Sequence, residues 1–279
     1  MAIRMVVASI LFLSTSAVAA HAGVCPGDLN NDCQVTQADL GILLADFGCT
    51  AGVGNCPGDV NGDGKTDQAD LGILLAAFNK PCEFEYPRPP TDEEAEQIAL
   101  EMLGPGGPLF ASPAAVQRVA TDLALIRALE PTLASQLHSP KWIANHLLVN
   151  VNPSLPHDGY NCLKQYYGAT IFGQIPSMNL EFLSFPRMLN PQALGQIFVA
   201  LPEVGYAEPN GIYGGDNFYV PTGNTDGTGN WFWFVDDGFW DCFDGCDCHY
   251  YYEFLTTEDG QITLLNKWTW FLPWCPSPK

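Results

Sequence analysis

The chain has 279 residues, with 31 acidic side chains against 11 basic ones and a formal net charge of -20. That balance excludes a phosphate-reading surface, because affinity for nucleic acid or an anionic membrane needs clustered Lys and Arg. It does not imply disorder, since 47% hydrophobic and 12% aromatic content is enough to build a core.

Residues 1–22 read as a secretory leader. Arg4 gives a positive start and Ala20-His21-Ala22 a small-x-small cleavage signature. The apolar run between them is shorter than the roughly 20 residues that span a bilayer, so export without a membrane span is expected. The chain is then secreted or held at the cell surface. All ten cysteines lie beyond this segment, in a compartment where disulfides persist. Five fall at Cys25, Cys33, Cys49, Cys56 and Cys82, and five at Cys162, Cys242, Cys246, Cys248 and Cys275. Each set is odd, which leaves open a bridge between the sets or an unpaired thiol in each.

Residues 25–48 and 56–79 are a duplication, CPGDLNNDCQVTQADLGILLADFG against CPGDVNGDGKTDQADLGILLAAFN. Roughly two-thirds of the aligned positions are identical, which marks an internal repeat. Oxygen-bearing residues recur at loop positions 1, 3, 5, 9 and 12: Asp28, Asn30, Asp32, Thr36 and Asp39, then Asp59, Asn61, Asp63, Asp67 and Asp70. A hard cation takes six to eight oxygens, and a tight loop supplies alternate side chains, a carbonyl from position 7 (Gln34, Lys65) and a closing carboxylate from position 12. Two calcium ions are therefore expected. A site of about 10 μM in a millimolar calcium pool adds roughly 2.7 kcal/mol of stability, a large share for a module of about 60 residues. The competing reading is a pair of Asp-rich turns that cap helices without metal. Leu40, Leu43, Leu44 and Phe47, like Leu71, Leu74, Leu75 and Phe78, recur at helical spacing, so each loop leads into an amphipathic helix.

The duplicated pattern GDxNxDxxxxxxDLxxLxxxF resembles a type I dockerin, a relative of the EF-hand loop, over residues 25–82. The resemblance implies calcium-dependent folding and docking to a cohesin-like protein or other cell-surface protein, often in polysaccharide catabolism. It also implies that the residues at loop positions 10 and 11 help choose the partner. Here these are Gln37 and Ala38, then Gln68 and Ala69, the same pair twice. Cys33 departs from the pattern at position 6, where Gly64 stands in the second loop and a left-handed turn favours glycine. A side chain there costs on the order of 1–2 kcal/mol, so the second loop is expected to bind more tightly.

Residues 83–91 are proline-dense and read as a short stiff spacer. Thr91 with Glu94 predicts a capping box for a helix through Leu103, and a second helix starts at Ser112-Pro113 and ends at Pro131. Residues 147–151 predict a strand, 161–168 a helix, 170–175 and 180–185 strands, 190–201 a helix, and 204–207 a strand. That order is the ferredoxin-like βαββαβ plan. Its closing phrase LPEVGYAEPN weakly resembles the end of subtilisin-type propeptides, which implies a protease-binding module. The remaining residues predict turns at Gly214-Gly215 and 224–229 and strands over 231–235, 250–255 and 262–265.

The expected fold class is thus a small all-α calcium loop-helix repeat pair plus an α+β domain over 92–279, ferredoxin-like and followed by an aromatic-rich antiparallel β region. Two further constellations invite chemistry. Cys242, Cys246, Cys248 and His249 have zinc-ligand spacing, although an exported chain favours disulfides there. Asp236, Asp237, Asp241 and Glu253 lie among Trp231, Trp233 and Trp240, a mixture found in sugar sites, and no spacing singles out an acid and a nucleophile. The leading expectation is a calcium-binding docking protein in extracellular assembly or adhesion. The alternatives are a polysaccharide-degrading enzyme carried by the repeat module and a protease-binding module.

Overall fold

A computed structural model describes residues 25–30, 32–80, 82–211, 217–240 and 246–275, so the leader and the Gly214-Gly215 turn lie outside the described residues. Two compact units divide after Cys82. No described helix is long and apolar enough to cross a membrane.

In the first unit each repeat forms a loop and then a ten-residue helix, α1 (Gln37–Asp46) and α2 (Gln68–Ala77). Thr36 and Asp67 are the N-caps, and Asp39 and Asp70 complete capping boxes by accepting the cap residues' N–H groups. Both helices stop at a phenylalanine, Phe47 or Phe78, with extended ψ near 126°. The next residues, Gly48 and Asn79, take positive φ. The two halves then exchange backbone contacts. The Gly48 N–H donates to the Thr66 carbonyl at 2.8 Å, and its counterpart Asn79 donates to Val35 at 2.9 Å. Leu43 and Leu74 are fully buried. Cys25–Cys82 closes the ends of the unit and Cys49–Cys56 closes the segment between the repeats.

Outside α1 and α2 the unit is turn and loop, with an isolated β-bridge at Gln34. It is not an all-α repeat pair, because the loop carboxylates hold amides that a helix would bond internally.

The second unit holds the remaining four α-helices and two sheets. The first sheet comprises β1 (Trp142–Val151), β2 (Thr170–Ile175), β3 (Leu180–Ser184) and β4 (Val204–Gly211), in the antiparallel order β2-β3-β1-β4. Between its strands run α5 (Asp158–Tyr166) and α6 (Pro191–Val199). Gly195 lets α6 lie close on the sheet: a Cβ there would come 2.7 Å from the Ala207 carbonyl oxygen.

The second sheet is β5 (Asn217–Thr222), β6 (Trp231–Phe239), β7 (Cys248–Thr256) and β8 (Ile262–Phe271), antiparallel in chain order. One face packs against α3 (Glu93–Glu101) and α4 (Pro113–Leu129), burying Ile98, Val119 and Ile126 against Tyr219, Trp231, Trp233 and Phe254. The aromatic region is therefore no trailing appendage, since helices from the far end of the unit form the other half of its core. The expected fold class is corrected accordingly: the described residues form an α+β chain with six α-helices and two antiparallel four-stranded sheets.

Several local readings shift as well. The cap of α3 is Asp92, whose carboxylate accepts the Ala95 N–H at 2.9 Å, while Glu94 is drawn to Arg127 at 2.8 and 2.9 Å. The strand β5 had no clear signal because it contains Pro221, which an edge strand tolerates. The proline-dense stretch is not a free spacer. The Phe84 N–H donates to the Tyr166 carbonyl at 2.8 Å, the Tyr86 hydroxyl donates to the Tyr167 carbonyl at 2.7 Å, and Phe84 packs among Phe110, Tyr166 and Tyr167.

Candidate metal centre

The repeated loops carry nearly superposable hydrogen-bond nets. Asp28 accepts the N–H groups of Asp32 at 3.1 Å and Cys33 at 2.9 Å, while Asp59 accepts those of Asp63 at 3.1 Å and Gly64 at 2.8 Å. Asn30 and Asn61 accept from Asp32 and Asp63 at 3.1 and 2.8 Å, and those aspartates accept from Gln34 and Lys65 at 3.0 Å in both loops. From the first turn of each helix, Asp39 reaches back to Leu29 and Asn30, and Asp70 to Val60 and Asn61. Each net folds the chain around a knot of side-chain oxygens.

Burial completes the arrangement. Asp28, Asp39, Asp59 and Asp70 are buried, whereas Asn30, Asp32, Asn61 and Asp63 stand at the surface. Burial pushes the Asp28 carboxyl up from its ordinary value, with the charges of Asp39 and Asp32 adding to the shift against hydrogen bonds from Cys33 and Asp32. Among the described residues, no three carboxylates of either loop close to within 4.8 Å of one another. Thr36 and Asp67 serve chiefly as helix caps, accepting from Ala38 at 3.2 Å and Ala69 at 2.7 Å. Cys33 adopts φ 66° and Gly64 φ 86°, so position 6 is left-handed in both loops.

The donor set is oxygen throughout, from carboxylates, amides and carbonyls. Such donors suit a hard divalent cation and not a soft transition metal. By that test the residues fit calcium.

Gln37, Ala38, Gln68 and Ala69 are all exposed at the starts of α1 and α2. The leucine stripes cover each other only in part: Leu44 and Leu75 are 55% and 53% exposed, and Phe47 is 46% exposed. Gln37, Gly41 and Leu44 therefore form an open stripe along α1, with Gln68, Gly72 and Leu75 as its equally exposed counterpart on α2.

The other constellations dissolve. Cys248 is bonded to Cys275 and Cys246 is also in a disulfide, so neither offers zinc a thiolate, and Cys242 lies outside the described residues. No described cysteine is free. His249 has its two ring nitrogens 2.7 Å from Asp236 and 2.8 Å from the Cys246 carbonyl. Asp237 points to the opposite face from Asp236, into the core beneath α3 and α4, and Trp231 and Trp233 are buried there too. Asp241 lies outside the described residues. Of the acids chosen from the sequence, Asp236 and Glu253 share the outer face of the sheet, while Asp237 and the expected platforms Trp231 and Trp233 face the core. On the outer face of the second sheet Phe232, Phe234, Trp268 and Trp270 reach the surface, and sequence reasoning passed over them.

No family model, curated protein or solved structure matches the chain.

Proposed function

We propose that the first unit is a calcium-dependent docking module of the dockerin type, acting in extracellular assembly or adhesion. The observation that carries the reading is the matched pair of oxygen-rich nets, whose backbone-to-carboxylate bonds recur across two loops at a fixed offset. Calcium would be held by Asp28, Asn30, Asp32 and Asp39, with the Gln34 carbonyl and Thr36, and by Asp59, Asn61, Asp63 and Asp70, with the Lys65 carbonyl and Asp67. When bound, the ion neutralises buried carboxylates and fixes each loop against its helix. This chain's own groups do the rest: the caps set the helix starts, and the half-exposed leucines and the repeated Gln-Ala pair offer the partner two similar faces.

Docking needs an apolar patch with a polar rim, and α1 and α2 present Leu44 and Leu75 beside Gln37 and Gln68. The partner class is a cohesin-like or other cell-surface protein. Isothermal titration of the full chain tests the metal: two calcium ions per chain support the reading, and no heat at millimolar calcium removes it. A pull-down from exported proteins, with calcium and then with chelator, tests the docking step.

A further inference from the structure

The outer face of the second sheet, turned away from α3 and α4, carries a cluster of aromatic rings that docking through α1 and α2 leaves unused. Alternation along β6 sends Trp231 and Trp233 into the core and Phe232 and Phe234 outward, where they are 55% and 37% exposed. Tyr251 of β7 and Trp268 and Trp270 of β8 join them, with the two tryptophans 37% and 49% exposed. Phe234 lies 5.7 Å from Tyr251, and Tyr251 lies 5.3 Å from Trp268, with ring planes within 24° and 29° of parallel. His249 extends the cluster at 5.5 Å from Tyr251, and Trp270 lies 5.6 Å from His249. Polar groups share this face. Asp236 is bound to His249, and Glu253 stands in register between Phe234 and Asn266.

An exposed apolar patch of this kind marks a binding surface, and charge decides among its occupants. An anionic polymer is repelled by a chain of net charge -20. A protein surface, whether a second copy or another partner, would have to desolvate Glu253 among aromatic rings, and unpaired buried carboxylates are costly. A neutral sugar chain meets both demands, since pyranose rings offer C–H faces to aromatic rings and hydroxyls that donate to carboxylate and amide oxygens. We propose that the outer face of β6, β7 and β8 is a binding platform for neutral polysaccharide, with Phe234, Tyr251, Trp268 and Trp270 as stacking surface and Glu253 and Asn266 as hydrogen-bonding groups. It requires no metal, so it stands apart from the calcium loops.

The test is co-sedimentation of the full chain with amorphous cellulose, insoluble xylan and chitin in the presence of chelator, with heparin-agarose as the anionic control. Retention on at least one neutral glycan and none on heparin is expected. The W268A/W270A double variant should lose about tenfold or more in partition, in line with removing two ring contacts. Its near-ultraviolet circular dichroism and melting midpoint report whether the core survives. If that variant does not fold, quenching of wild-type tryptophan fluorescence by soluble oligosaccharides of the retained glycan provides the same reading. Absence of retention on all three neutral glycans, or equal retention of wild type and a folded double variant, overturns the proposal. So does a wild-type dimer that the double variant converts to monomer without any glycan retention.

Discussion

Cys33 and Gly64 occupy the same left-handed position in two loops whose hydrogen-bond nets otherwise nearly match. A side chain at positive φ costs on the order of 1–2 kcal/mol, and a loop that carries this strain must recover it when it closes on an ion. Calorimetry is therefore expected to rank the sites: Asp28→Ala, which leaves the second loop intact, should retain tighter calcium binding than Asp59→Ala, by roughly tenfold. Equal residual affinities would show that position 6 does not set the ranking. A second residue-scale expectation concerns Asp237, buried on the inner face of β6. Burial, reinforced by the charge of Asp236 and opposed by His249, pushes its carboxyl up to about 6. The folded state then holds this proton more tightly than the unfolded state. Its contribution to stability is greatest below the ordinary carboxylate value and is lost as pH rises through about 6. Urea unfolding from pH 4 to 7 should show that decline, on the order of 1–3 kcal/mol, and Asp237→Asn should flatten it. A variant that keeps the wild-type slope would assign the effect to another group.

At the scale of elements, α4 is fixed to the second sheet by one buried polar node. Asp122, 1% exposed, accepts from Arg118 at 2.9 Å, from the Trp233 indole at 2.9 Å and from the Thr256 hydroxyl at 2.5 Å. Arg118 continues to the carbonyls of Gly229, Thr256 and Thr257. Removing the carboxylate strands a guanidinium and two donors, so Asp122→Ala should cost about 3–5 kcal/mol of unfolding free energy, read from denaturant melts. A loss under 1 kcal/mol would mean that the helix is held by apolar contacts alone. The elements themselves were unevenly legible. The loops and the starts of α1, α2 and α6 could be read because caps and alternating side-chain oxygens act between residues near in sequence. Which face of β6 turns inward could not be read, since Trp231, Phe232, Trp233 and Phe234 are apolar on both sides and alternation has no polar partner to point with. The covering of the last sheet by α3 and α4 was equally hidden. It joins residues more than a hundred positions apart through side chains that any core accepts.

For the whole molecule, the division after Cys82 separates a unit rich in loop carboxylates from one with two sheets and ordinary cores. Chelation should therefore act on one part only. Calorimetric melting of the full chain is expected to show a transition that moves down by several degrees on adding chelator, and another that does not move, since ligand linkage stabilises only the unit that binds. A single transition that shifts as a whole would place the metal's influence beyond the repeats.

The Cys25–Cys82 bond joins the first and last described residues of the repeat unit, 57 positions apart in the chain. Tension applied at those two residues is thus carried across two sulfur atoms. A proteolytic nick between Cys25 and Cys82 would leave the two pieces joined until a reductant opened the link.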